Sequence, residues 1–180
     1  IYRHLRRNHR PIYAITPMPF NLLGLDQWVG AFEYVNYFDI FEGAHPRCFV
    51  PNTAGAPVFK SMEDLANYQI AHPDFRDHIA GRPRGLALIV MFDEETEALA
   101  EEVGIDIALP PYALRNRLDS KIETTRLGNE AGVASAPNVM GRAETWAELA
   151  ALADGAGLGR DLVVQTPYGD SGRTTFFVRT

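Results

Sequence analysis

Residues 86–109 limit most strongly what this chain can fold into. Residues 86–92 (LALIVMF) form a continuous apolar run, which is typical of a strand that is covered on both faces. Asp93 is a suitable N-cap for the helix that follows, and residues 105–109 (IDIAL) form a second apolar run. A strand, a helix and a strand with short links predict a parallel βαβ unit, and therefore an α/β fold.

Shorter patterns upstream predict further elements of the same domain. Residues 12–16 (IYAIT) predict a buried strand that ends at Pro17 and Pro19. The other patterns predict, in chain order, a short helix at 22–29, strands at 31–41 and 48–50, a helix capped by Ser61, and a connection at 72–85.

The adjacent prolines Pro110 and Pro111 mark a predicted domain boundary. Residues 1–111 then form an α/β domain with a parallel sheet, and residues 112–180 form a smaller α+β part. Residues 1–10 (IYRHLRRNHR) are rich in Arg and His and contain no acidic residue. We expect them to be a basic extension on the surface of the first domain.

Composition and charge exclude several classes of protein. The formal net charge is −6, which gives no support for nucleic-acid binding, and no apolar run approaches the ~20 residues of a membrane helix. Cys48 is the only cysteine, so an intrachain disulfide is excluded. His45 and Cys48 are too few ligands for a metal site. We therefore expect a soluble, cytoplasmic protein without a nucleic-acid or membrane partner.

A helix start in the second part carries a candidate binding residue. Ser120 and Glu123 have the spacing of a capping box, which predicts a helix that runs to Ala131. Lys121 lies in the first turn of this helix, where the helix dipole attracts anions. Lys121 could therefore contact a phosphate, and the alternative is an ordinary surface lysine.

The glycine-containing loop near the end of the chain is a second candidate. Residues 162–166 and 174–178 predict two strands, and the loop between them contains Gly169, Asp170, Ser171, Gly172 and Arg173. Glycines allow positive φ and close approach of a ligand, and successive N–H groups in such a turn hold phosphate oxygens. Ser171 and Arg173 would add a hydroxyl group and a positive charge. The alternative is a plain hairpin turn.

The tetrapeptide GDSG at residues 169–172 is similar to the nucleophile segment of trypsin-like serine proteases. A catalytic triad also needs a histidine base held by a buried carboxylate. The predicted α/β domain gives no such setting for the histidines of this chain, which are His4, His9, His45, His72 and His78. We therefore reject the protease hypothesis.

The order of these parts resembles that of ATP-grasp enzymes, closest in layout to biotin carboxylases and carboxylate–amine ligases. A small α/β domain is followed by Asp119, Ser120 and Lys121, two helices, and a strand–glycine loop–strand segment. The resemblance covers essentially the whole chain and is specific from Leu118 to Val178. It implies a Rossmann-like pre-ATP-grasp domain over residues 1–111 and an ATP-grasp lid subdomain over residues 112–180.

By this resemblance, Lys121 matches the family's lysine that contacts the nucleotide phosphates. Residues 169–173 match the loop that closes over the β- and γ-phosphates. Gln165 stands where many members carry a second lysine, so one cationic contact is missing. The loop is also less rich in glycine than in biotin carboxylases, and both departures indicate a divergent ligase.

The resemblance implies an ATP-dependent ligase that activates a carboxylate as an acyl-phosphate for attack by an amine. Its cofactors would be ATP and Mg²⁺, with metal ligands outside this chain, and its partners would be a small carboxylic acid and an amine. A homodimer is a candidate assembly. Three alternatives stay open: biotin carboxylation, a degenerate non-catalytic nucleotide-binding module, and a plain α/β binding domain. Gln165 is the residue that supports the degenerate module.

The family's catalytic subdomain would follow Thr180, so we expect these 180 residues to be part of a larger enzyme and inactive alone. Incubating the chain with ATP and candidate carboxylic acids should release no phosphate. Phosphate release above the background hydrolysis of ATP would contradict this expectation.

Overall fold

The computed structural model describes residues 1–159, 161–169 and 172–179, apart from the side chain of Asn21. The chain forms two compact units, Ile1–Tyr112 and Ala113–Thr180. The first unit is α/β and contains a parallel sheet, and the second contains helices and a β-hairpin.

The sheet of the first unit has five strands, and every pair of neighbours is parallel. The spatial order is β3-β2-β1-β4-β5. The sheet therefore grows outward from β1 in both directions, as in doubly wound α/β folds. Its strands are β1 (Ile12–Thr16), β2 (Phe32–Asn36), β3 (Cys48–Phe49), β4 (Gly85–Leu88) and β5 (Ile105–Ile107).

Helices cover both faces of this sheet. Ala14, Phe32 and Tyr34 are fully buried on one face, where Leu22 and Leu25 pack against them. The larger core cluster lies on the other face and contains strand residues together with residues of three helices. The helices of the unit are α1 (Tyr2–Arg6), α2 (Leu25–Trp28), α3 (Met62–Ala71), α4 (Pro73–Ile79) and α5 (Glu94–Glu102), with a 3₁₀ turn at Phe20–Leu22.

The predicted βαβ unit is confirmed, because β4, α5 and β5 follow one another and β4 pairs with β5 in parallel. Its predicted first strand was too long. The ladder ends at Leu88, and Ile89 and Phe92 are buried beyond it. An apolar run in a sequence does not show where the hydrogen-bonded ladder ends.

The predicted connection at residues 72–85 was wrong over its first half, which forms α4. The His72 ring accepts a hydrogen bond from the Asp74 backbone N–H at 3.1 Å and so caps the helix. Pro73 occupies the first turn, where its missing N–H has no cost. Phe75 and Ile79 face the core, so tertiary packing outweighs a local sequence that suggests a loop.

The second unit contains a helical part and a two-stranded antiparallel hairpin. Its helices are α6 (Tyr112–Asp119), which begins at the boundary, α7 (Lys121–Glu130) and α8 (Trp146–Gly155). The hairpin pairs β6 (Leu162–Gln165) with β7 (Thr175–Val178). The helices α7 and α8 and both strands lie where the sequence predicts them, whereas α6 was not predicted. In the part of the chain that the structure describes, no helix has the length and apolar character needed to cross a membrane.

Asp93 joins β4 to α5 through a closed set of hydrogen bonds. Its carboxylate accepts the Thr96 backbone N–H at 2.9 Å, and the Thr96 hydroxyl accepts the Asp93 N–H at 3.1 Å. The Asn67 amide of α3 donates to the same carboxylate at 3.2 Å. Burial raises the pKa of Asp93, but these bonds outweigh it and leave that pKa below its usual value.

We expect Asp93→Ala to destabilise the first unit by about 1–2 kcal/mol, because the substitution removes an N-cap and leaves Asn67 without its carboxylate partner. Urea denaturation followed by circular dichroism measures this loss. Glu94→Ala is the matched control, since it removes an exposed carboxylate from the same helical turn and should change stability by less than about 0.5 kcal/mol. Equal effects of the two substitutions would contradict the capping role.

Candidate functional site

The start of α7 is joined directly to the glycine-containing loop of the hairpin. Ser120 caps the helix, and its hydroxyl oxygen accepts the Glu123 backbone N–H at 3.4 Å. The Lys121 backbone N–H donates to the Pro167 carbonyl oxygen at 2.8 Å. The first turn of α7 therefore lies against the residues that lead into the loop.

The Lys121 side chain makes a second contact with the same loop. Its Nζ donates a hydrogen bond to the Gly169 carbonyl oxygen at 2.8 Å, across 48 positions of sequence. An ammonium group has three donors, so this bond leaves two for another acceptor. The two features that the sequence singled out separately are thus parts of one site.

Two glycines of the loop have positive backbone φ angles. Gly169 has φ of +149° and Gly172 has φ of +77°, conformations that residues with a side chain rarely adopt. A Cβ atom at Gly169 would overlap the Thr174 side chain. The Thr166 and Thr174 hydroxyls both donate to the Tyr168 carbonyl oxygen, at 2.8 and 2.9 Å. Glycine is therefore required at position 169 by space as well as by conformation.

The other predicted site residues have different placements. Gln165 is exposed, and its Nε2 donates to the Thr175 hydroxyl of the opposite strand at 3.1 Å. Arg173 is exposed at the end of the loop. Asp170 and Ser171 lie outside the residues that the structure describes. Among the described members of the predicted set, the structure brings Lys121 and Gly169 into direct contact.

Glu123, in the first turn of α7, forms ion pairs with two arginines. Hydrogen bonds from Arg126 and then Arg117 lower the pKa of Glu123 to about 2, with nitrogen–oxygen distances of 2.7 and 2.6 Å. Glu123 does not turn back to its own N-cap, so the predicted capping box is only half formed. The two guanidinium groups offset the negative charge that Glu123 places near this helix start.

A second candidate site lies in the first unit, at the carboxyl ends of β1 and β4. The connections that follow β1 and β4 run to opposite faces of the sheet here, and ligands of open α/β sheets bind at such switch points. A cavity of about 670 Å³ occupies the position. Ile15, Thr16 and Ile89 contribute from the strands and the residue after β4, and Met62, Ala66 and Gln69 contribute from α3.

Sequence patterns alone missed this cavity. They placed a strand at 12–16 and another at 86–92, but nothing local shows that these strands are neighbours. Pairing of β1 with β4 joins residues more than 70 positions apart, such as Ile12 and Leu86. The prolines after β1 were the available signal, since they mark where the strand leaves the sheet.

The structure gives His45 and Cys48 separate surroundings. Cys48 is half-buried against the apolar cluster that contains Tyr34, and burial, followed by the charge of Asp39, raises the pKa of its thiol to about 11. The His45 ring instead lies 3.7 Å from an Asp26 carboxylate oxygen. Across the described ranges, no three His, Cys, Asp or Glu side chains are grouped so that they could hold a metal ion.

Comparison with known proteins assigns no family to this chain. No protein-family model matches its sequence, and no curated protein matches it either. The geometry of the two sites and the resemblance of the sequence pattern are therefore the basis for inferring a function.

Proposed function

We propose that this chain is the N-terminal part of an ATP-dependent ligase, and that its second unit binds the phosphates of ATP. The observation that carries the proposal is the 2.8 Å hydrogen bond from Lys121 Nζ to the Gly169 carbonyl oxygen. It brings a cation at a helix start together with a glycine-containing hairpin loop. These are the features expected of a phosphate site.

The chemistry of the site suits a polyanion. Lys121 supplies a positive charge with donors to spare, and the first turn of α7 adds the partial positive charge of a helix N-terminus. Arg173 lies exposed at the far end of the loop. Phosphoryl transfer depends mainly on positioning and on neutralising phosphate charge, and these groups would do both for the β- and γ-phosphates.

In the whole enzyme, the γ-phosphoryl group of ATP would pass to a carboxylate and give an acyl-phosphate and ADP. An amine would then displace the phosphate and form an amide. Small carboxylic acids and amines are therefore the proposed substrates, and the cytoplasm is the proposed location. The described residues form no acidic cluster suited to Mg²⁺, so we assign no residue of this chain to the metal.

The position of Gln165 favours a second candidate, a nucleotide-binding module without catalysis. Its amide is used in a cross-strand hydrogen bond to Thr175 at 3.1 Å. It therefore stiffens the hairpin and supplies no cation to a phosphate. Bicarbonate activation for biotin carboxylation stays an alternative within the ligase class, and a biotin-dependent ATPase assay of the intact enzyme would distinguish it from amide formation.

Replacing Lys121 by Met should weaken the binding of AMP-PNP, a non-hydrolysable ATP analogue, by about 10-fold or more, because it removes charge-assisted hydrogen bonds to phosphate. Methionine keeps an unbranched apolar stem in place of the lysine chain. Isothermal titration calorimetry measures the dissociation constants of the variant and the parent chain.

Lys60→Met is the matched control, because Lys60 is the other lysine of the sequence and its side chain is exposed in the first unit. This variant should bind AMP-PNP as the parent does. Circular dichroism of all three proteins checks that the fold is intact. Unchanged affinity in the Lys121 variant, or no binding by the parent, would favour a plain α/β binding domain with an incidental hairpin.

A further inference from the structure

The cavity at the switch point of the first unit is lined mostly by apolar side chains. Its floor consists of buried side chains, including Ile15, Ala66 and Ile89. Its rim contains large apolar side chains that remain exposed, namely Phe20, Met62 and Val90, which are 57%, 40% and 67% exposed. No charged side chain is among the described residues that line it. An ionic ligand would lose its hydration here without a partner, so the lining selects a neutral molecule.

The chain that leaves β1 cannot bind phosphate as a dinucleotide-binding loop does. That function needs a glycine-rich turn whose backbone N–H groups reach the phosphate, followed by a helix N-terminus. Here Pro17 and Pro19 follow Thr16 and have no N–H to donate. The cavity therefore lies where open α/β sheets usually bind ligands, but the chain after β1 lacks the N–H groups that would bind a phosphate.

Gln69 fixes the polar end of the cavity. It is 1% exposed, and its Nε2 donates to two strand-end carbonyl oxygens, those of Val35 at 3.0 Å and Thr16 at 3.3 Å. Two carbonyl acceptors determine which end of the amide faces the sheet, since the Oε1 end would repel them. Oε1 therefore points away from these carbonyls, and Gln69 is one of the residues that line the cavity.

Thr16 offers a second acceptor at the same end. Its hydroxyl hydrogen is directed to the Met18 carbonyl oxygen at 2.7 Å. The hydroxyl oxygen keeps lone pairs for a donor from the cavity, because one O–H hydrogen serves one strong bond. Both polar side chains of the lining, Thr16 and Gln69, therefore present acceptors rather than donors.

We propose that this cavity binds a neutral, mainly apolar small molecule that carries an N–H or O–H donor, with the donor directed at Gln69 Oε1 or Thr16 Oγ1. The observations that carry the proposal are the switch-point position, the uncharged apolar lining and the fixed orientation of the Gln69 amide. The site is separate from the phosphate site proposed for the second unit and does not depend on it.

Indole and 1-methylindole provide a matched pair of probes, because a methyl group replaces the single N–H donor of indole. Ligand-observed NMR titration of the whole chain gives both dissociation constants. We expect 1-methylindole to bind about 2- to 10-fold more weakly, the effect of one lost hydrogen bond. Its added methyl group would strengthen binding if apolar contact alone decided affinity.

Val90→Trp places a large side chain at the rim and should weaken indole binding about 10-fold or more by excluding the probe from buried surface. Val58→Trp is the control, since Val58 is 94% exposed and does not line the cavity. It should bind indole as the parent does. Because Val90 and Val58 are both exposed, neither substitution disturbs the core.

Three results would overturn the proposal: no binding of either probe, indole binding that survives Val90→Trp, or equal affinity for the two probes. Lys121→Met should leave indole binding unchanged, because Lys121 is not among the residues that line this cavity. Failure of this proposal and failure of the ATP proposal are therefore distinguishable in the same set of proteins.

Discussion

The first unit depends on the parallel pairing of β1 with both β2 and β4. Tyr13, Ala14 and Ile15 are almost completely buried, so β1 is covered on both faces as well as on both edges. Because β1 lies between β2 and β4, the connection after β1 and the connection after β4 run to opposite faces of the sheet, and this divergence creates the switch point. The cavity beside Thr16 is therefore a consequence of strand order and not of a local motif.

The second unit depends in a similar way on one junction between distant segments. Lys121 donates to the loop twice, from its backbone N–H to Pro167 and from Nζ to Gly169. The restricted backbone at Gly169, packed against Thr174, gives the loop a defined shape at this junction. The start of α7 with Lys121 and the glycine loop are thus in contact, and for this reason we propose phosphate binding for the two together and not for either one alone.

Local chemistry made most of the helices and strands predictable. Asp93 and Ser120 cap helices as expected, because a cap depends only on a side chain and the next helical turn. The start of α4 was not predictable, since its Pro73 also suits a loop and the helix is stabilised by packing of Phe75 and Ile79. The length of β4 was overestimated because the apolar run continues to Phe92 after pairing has stopped at Leu88.

The two sites differ in how far the sequence could reveal them. Lys121 and the glycine loop each have a local sequence signal, and the order of elements along the chain already indicates that they belong to one site. The cavity near Gln69 carries no such signal. A buried glutamine in an amphipathic helix is an ordinary residue until the β1 and β2 carbonyls that orient its amide are placed beside it. Strand order and helix placement, which are properties of the whole fold, supply that information.

NMR of the chain labelled with ¹⁵N-lysine tests the central claim most directly, because the sequence contains lysine only at positions 60 and 121. Each lysine gives one backbone amide signal, and that of Lys121 reports on the junction with Pro167. On titration with AMP-PNP, the Lys121 signal should shift to saturation while the Lys60 signal stays in place. A Lys121 signal that does not move, or equal movement of both signals, would contradict a phosphate site at this junction.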